Sequence, residues 1–204
     1  MEGTTSEVFR IVTLSSGISR GSNLLAINDY FREKANNFSI EYAVFTSVKA
    51  PAIDKCRVSQ IPYIVFSARN MELFEKSMLE IIQDKQIHLV VLCGFLKRLS
   101  SSFIDSIEIP ILNIHPALLP RFGGLGMYGM AVHEAVFASQ ETHSGATVHL
   151  VDDHYDHGRI IAKEEISISG CKSANEIADK VLTVEHMLYP RAIVSYLQAT
   201  KSVC

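Results

Sequence analysis

Ile109-Pro-Ile-Leu-Asn113-Ile-His115-Pro116-Ala-Leu-Leu-Pro120-Arg-Phe-Gly-Gly124-Leu-Gly-Met-Tyr-Gly129 is the stretch on which the fold turns. The apolar run 109–114 reads as a strand. Pro116 has no backbone N–H and pushes the residue before it into an extended conformation. His115 therefore stands where the chain leaves the sheet. Asn113 lies two residues earlier, and residues two apart on a strand share a face. An amide donates hydrogen bonds to a carbonyl or an oxyanion, and an imidazole exchanges protons near neutral pH. The pair suits acyl transfer. Taken alone, Asn-x-His more often marks a buried polar pair satisfied by backbone. The glycines that follow, Gly123, Gly124, Gly126 and Gly129, open the backbone to a close-lying ligand and favour the first reading.

Upstream, residues 87–93 are almost purely apolar and read as a central strand covered on both faces. Further strands are expected over 8–14, 38–46 and 63–66, from β-branched and apolar content. Helices are expected over 24–34, 51–59, 71–84 and 100–106. In the third of these, Leu73, Phe74, Met78, Ile81 and Ile82 mark the inward face. Downstream, a helix is expected over 130–138, an antiparallel strand pair over 145–151 and 159–168, and a long helix over 173–200. Ala174, Ile177, Val181, Leu188, Ile193 and Leu197 form the apolar side of that last helix, and Pro190 should kink or break it.

Strands alternating with helices imply an α/β fold: a mostly parallel central sheet with helices on both faces, closed by the antiparallel C-terminal pair. Ligands bind such sheets outside the carboxyl ends of the strands. Three stretches then share one rim: 15–23, 94–99 and 113–129. The first is a Gly/Ser loop between strand and helix, which presents backbone N–H groups to an anion. The alternative is a plain loop with Ser22 as helix cap. Its spacing matches neither common dinucleotide nor P-loop pattern. Asp152-Asp153-His154-Tyr155-Asp156-His157 admits three readings. It is a catalytic loop whose carboxylate supports His115, a solvated acidic turn, or a metal site. Glu185 and His186 face a site or form a surface pair.

Composition narrows the classes. The chain has 204 residues, 48% hydrophobic and 20% charged, with net charge −3, which fits one soluble domain over 1–204 and argues against a nucleic-acid partner. No apolar stretch approaches the span of a bilayer, and no signal peptide is visible. Cys56, Cys93, Cys171 and Cys204 lack the close spacing of a zinc site and read as free thiols of a reducing compartment, so a cytoplasmic location is expected.

The segment Asn113-Ile-His115-Pro116-Ala-Leu-Leu-Pro120 resembles the active-site segment of the 10-formyltetrahydrofolate-dependent formyltransferases. Further similarities run along nearly the whole chain. Gly21-Ser-Asn-Leu-Leu-Ala-Ile27 resembles a phosphate-binding turn and helix. Val90-Val-Leu-Cys-Gly-Phe-Leu96 resembles the strand before the folate contacts, and His149 to Gly158 a second active-site loop. Glu185-His-Met-Leu-Tyr-Pro190 resembles a C-terminal element of the branch that formylates glycinamide ribonucleotide in purine biosynthesis.

The resemblance implies a three-layer, Rossmann-like formyltransferase fold. It implies Asn113, His115 and Asp156 as catalytic amide, imidazole and carboxylate. Gly21, Ser22 and Asn23 would hold the substrate phosphate and Glu185 the ribose. Leu96, Lys97, Arg98 and Leu99 would hold the folate pterin, with Asn113 and the loop Asp152, Asp153, His154, Tyr155 and Asp156 along the other side. The co-substrate would be 10-formyltetrahydrofolate, with glycinamide ribonucleotide as acceptor. No metal, nucleic acid or membrane is implied, and the protein would be a monomer or homodimer. In this picture Asp156 raises the basicity of His115 and keeps it cationic near neutral pH.

The chain departs from the family pattern in places. The turn 16–21 is two residues longer than usual, the segment 123–130 is longer than the commonest form, and Leu182 replaces a polar residue. Arg69 lies near, but not at, the position of the arginine that reaches the folate tail. Rival readings are a sugar-nucleotide N-formyltransferase, a formyltetrahydrofolate hydrolase, and a non-catalytic folate- or nucleotide-binding protein. Gly21-Ser-Asn23 favours a simple phosphate over a sugar nucleotide. A hydrolase would add a regulatory domain, and a methionyl-tRNA formyltransferase a basic one; neither is expected in this acidic chain.

Overall fold

The computed structural model describes residues 8–201; Cys204 lies outside them. Seven strands form one sheet in the order β3-β2-β1-β4-β5-β6-β7. They are β1 (Phe9–Ser15), β2 (Phe38–Phe45), β3 (Tyr63–Val65), β4 (Leu89–Leu92), β5 (Ile111–His115), β6 (His143–Leu150) and β7 (Ile160–Ser167). Strands β1 to β5 run parallel, and β6 and β7 are antiparallel. The α/β expectation with an antiparallel C-terminal pair is met.

Helices cover both faces. On one, α1 (Ser22–Lys34), α2 (Ala52–Ser59) and α6 (Ala174–Lys201) pack Leu24, Ile27, Ile53, Leu188 and Ile193 onto the sheet. On the other, α3 (Met71–Asp84) and α4 (Ser101–Ser106) contribute Phe74, Met78, Ile82 and Phe103. The central strand β4 is buried along its whole length, which is why its sequence has no polar alternation. Helix α5 (Met130–Ala138) lies against α6 through Val136, Ile177 and Val181.

Two helical expectations need correction. Leu73 points outward at 61% exposure, and Glu75 is buried in its stead. The reason is a distant partner: the Glu75 carboxylate accepts from the Ser100 backbone N–H at 2.7 Å and from its hydroxyl at 2.6 Å. Pro190 lies inside a helix of 28 residues and does not break it. Buried residues on both sides of it, Leu188, Tyr189, Ala192 and Ile193, hold the helix to the sheet. The Tyr189 hydroxyl also lies 3.0 and 2.9 Å from the Leu92 and Leu112 carbonyls.

The strand order reverses between β1 and β4, and chains leaving neighbouring strands on opposite sides open a crevice there. The carboxyl ends of β1, β4 and β5 meet on this rim. No helix among the described residues is long and apolar enough to cross a membrane.

Candidate active site

Register builds the centre of the site. In the antiparallel pairing of β5 and β6, Asn113 lies opposite His149 and His115 opposite Thr147. Directly opposed residues share a face, so all four side chains stand on one side of the sheet. His115 and His149 are each only 3% exposed.

Partners fix the ring protons. His115 Nε2 is 2.7 Å from the Phe122 carbonyl, and a carbonyl only accepts, so Nε2 carries a hydrogen. Its Nδ1 lies 3.4 Å from Asp156 Oδ2. His149 Nδ1 is 2.8 Å from the Leu150 carbonyl and carries a hydrogen for the same reason. In the neutral ring His149 Nε2 then accepts from Asn113 Nδ2 at 3.1 Å. Asp156 Oδ1 is 3.5 Å from that same Nε2. One carboxylate thus faces both imidazoles, and one imidazole orients the amide.

Asp156 reaches this position from a loop by strained backbone. Its φ is +56°, a left-handed conformation uncommon for a residue with a side chain. The Gly124 N–H donates to Asp156 Oδ2 at 3.0 Å. Gly123 must lack a side chain: a Cβ there would lie 2.4 Å from Leu119 and 3.2 Å from the Asp156 Cβ. Gly123 therefore serves the close approach of two loops.

Burial lowers the pKa of His115, and His149 adds to this; the Asp156 charge and the Phe122 carbonyl pull it back only in part. The expectation that Asp156 keeps His115 cationic near neutral pH is corrected on this point, because desolvation wins. For Asp156 burial pushes upward, but the nearby His149 and His115 rings and the Gly124 N–H outweigh it. Its pKa lies below the usual carboxylate value.

A cavity of about 390 Å³ opens over these groups. Asn113, His115 and Asp156 line it, as do Leu96, Lys97, Arg98 and Leu99 from the loop after β4. Asp152, Asp153, His154 and Tyr155 form the facing wall, and Asn23 and Glu185 lie on the α1–α6 side. Gly21 and Ser22 do not line it; they sit at the start of α1 beside Asn23. Helix α1 begins at Ser22, with Gly21 as its cap at φ +72° and no side-chain hydrogen bond on its first turn. The alternative of Ser22 as helix cap is overturned. Uncapped N–H groups at a helix start are an anion-binding feature.

The Glu185 carboxylate is buried and accepts from Asn23 Nδ2 at 2.7 Å. Burial raises its pKa, against the pull of Asn23, so the surface-pair alternative fails for Glu185. Asn23 Oδ1 is buried with no partner among the described residues. The longer turn is tied down: Ser16 Oγ accepts from the Leu96 N–H at 2.6 Å, and Ser19 Oγ donates to the Cys93 carbonyl at 3.2 Å. Across the cavity mouth, Arg98 donates to the Asp153 carbonyl at 3.1 Å and lies over the Tyr155 ring. Arg69 does not line the cavity; it shares a second, open hollow with Lys97.

Two lining residues were not singled out as catalytic candidates. His149 is invisible in the local pattern, because only the β5–β6 register puts it opposite Asn113. His133 on α5 is 6% exposed, lines the cavity and has an Nδ1 with no hydrogen-bond partner among the described residues. Burial and the nearby His115 lower its pKa. No sequence signal marks it.

A model of the formyl transferase family matches residues 9–193. The chloroplastic phosphoribosylglycinamide formyltransferase of Vigna unguiculata is 35% identical over 176 residues, covering 85% of this chain and 56% of that protein. Its Arabidopsis thaliana counterpart is 33% identical over 85% of this chain and 61% of that protein. The chain thus spans little more than half the length of these relatives. Among solved structures, phosphoribosylglycinamide formyltransferase from Brucella melitensis superposes with a TM-score of 0.82 at 30% identity, covering 93% of this chain and 96% of that one. The enzyme from Coxiella burnetii gives a TM-score of 0.82 at 28% identity, covering 95% and 89%.

Proposed function

The chain belongs to the formyl transferase family, and on that premise we propose that it transfers the formyl group of 10-formyltetrahydrofolate to the amine of glycinamide ribonucleotide, a step of purine biosynthesis. The observation that carries the reading is the convergence of Asn113, His115 and Asp156 at the floor of one cavity. The reaction sits in one formyltransferase domain, in a cytoplasmic setting suited to free thiols such as the half-buried Cys171.

The folate enters between the 94–99 loop and the 152–156 loop, its pterin along the backbone of Leu96 to Leu99. Its glutamate tail extends toward the hollow shared by Lys97 and Arg69. The ribonucleotide phosphate meets the start of α1 at Gly21, Ser22 and Asn23, and the ribose meets Glu185. Binding both substrates supplies the proximity.

The amine attacks the formyl carbon and negative charge develops on the formyl oxygen. One Asn113 N–H holds His149; the other is available to that oxygen. His115 is held through both ring nitrogens, by Phe122 and by Asp156. The 3.4 Å contact with Asp156 is the looser of the two, so Nδ1 is the edge that turns toward the substrate. As the tetrahedral centre forms, a proton leaves the amine for Asp156, directly or through water. The bond to N10 then breaks as N10 takes up that proton, returned from Asp156 directly or through water. The steps require neither a metal nor a covalent intermediate.

A formyl-transfer assay with glycinamide ribonucleotide and a 10-formyl folate tests the reading. Formylated ribonucleotide should appear in step with folate consumed. Formate release without acceptor would indicate a hydrolase, and formylation confined to an amino-sugar nucleotide would indicate the other rival.

A further inference from the structure

The loop that carries Asp156 has a second group of polar side chains, to which the formyl transfer assigns no reacting role. Asp152, His154 and His157 each offer one ligand atom, and the three atoms lie within 4.8 Å of one another. The Asp152 carboxylate is already oriented: Oδ1 accepts from the His154 backbone N–H at 2.9 Å, and Oδ2 lies 3.2 Å from His157 Nδ1. The two imidazole rings stand 5.6 Å apart. Both histidines are exposed.

Two imidazoles and one carboxylate form the donor set of zinc-class sites, with water completing the tetrahedron. Magnesium and calcium prefer oxygen donors alone. A divalent cation can bridge the Asp152 carboxylate and the two imidazoles, whose ligand atoms already lie within 4.8 Å of one another. Arg98, from the loop after β4, is engaged with the Asp153 carbonyl and the Tyr155 ring.

We propose that Asp152, His154 and His157 form a binding site for a divalent transition cation of the zinc class, at the mouth of the cavity and apart from the reacting groups. Asp156 lies between two of these ligands in sequence, so the bound cation fastens the loop that presents Asp156 to His115. The proposal does not depend on the reaction assigned to the cavity.

The test is calorimetric titration of the metal-free protein with zinc chloride, in the absence of substrates. One saturable site is expected. His154→Ala and His157→Ala should each weaken it on the order of tenfold or more, since even outer-shell changes cost that much. His143→Ala, an exposed histidine at the start of β6, should leave it unchanged, and circular dichroism checks that each variant is folded. Magnesium chloride should give no saturable binding. Absence of a saturable zinc site in the unaltered protein would overturn the proposal. So would equal affinity in the His154→Ala/His157→Ala double variant, which would place zinc on other groups such as Cys171.

Discussion

The two walls of the cavity are built by different means. Asn113, His115 and His149 come from adjacent strands, where register alone sets their relative positions. Asp156 comes from a loop and is held by a left-handed backbone, one N–H from Gly124 and a contact that only glycine at 123 permits. The strand wall is buried and satisfied by its own neighbours. The loop wall is half open and depends on a second loop. Precision therefore resides in the strands, and adjustability in the loop.

Substitutions can break or sharpen that contrast. The largest effects belong to the strand wall: Asn113→Ala and His115→Ala should each lower the formyl-transfer rate on the order of 10²–10³-fold, with far-ultraviolet circular dichroism unchanged. Near-normal turnover by either variant would place the chemistry elsewhere. Asp156→Asn comes next, with a loss on the order of 10²-fold and a changed pH–rate profile; an unchanged profile would mean that Asp156 and His115 act separately. Gly123→Ala probes the loop wall through packing. A Cβ there meets Leu119 and Asp156, so it should cost about 1–3 kcal/mol of stability by thermal or denaturant unfolding. Unaltered stability would mean that the two loops do not need their close approach. The smallest effect on rate is expected for His149→Ala, which leaves the reacting groups in place but frees the Asn113 amide. It also removes a neighbour that lowers the His115 pKa, so that pKa should rise in the variant, as followed by NMR titration.

Much of the fold was legible because its signals are local. Residues 71–84 and 130–138 read as helices with the bounds they have, since their apolar spacing and end residues are written within each segment. The strand run ending at Pro116 put His115 on the rim for the same reason. What escaped reading depends on partners far along the chain. Glu75 is buried because Ser100 meets it, and Leu73 is displaced to the surface. His149 belongs to the site through a strand pairing that no window of sequence contains. The sign of the His115 shift was missed because proximity to Asp156 can be anticipated from motifs, whereas the depth of burial that outweighs it cannot.

The central claim is that the Asp156 carboxylate acts on the His115 ring across the cavity floor. NMR titration of the His115 ring in the unaltered protein and in Asp156→Asn tests it most directly. Burial should hold the His115 pKa below the ordinary histidine value in the unaltered protein, and removing the neighbouring negative charge should drop it further. An unchanged or higher His115 pKa in Asp156→Asn would contradict the account.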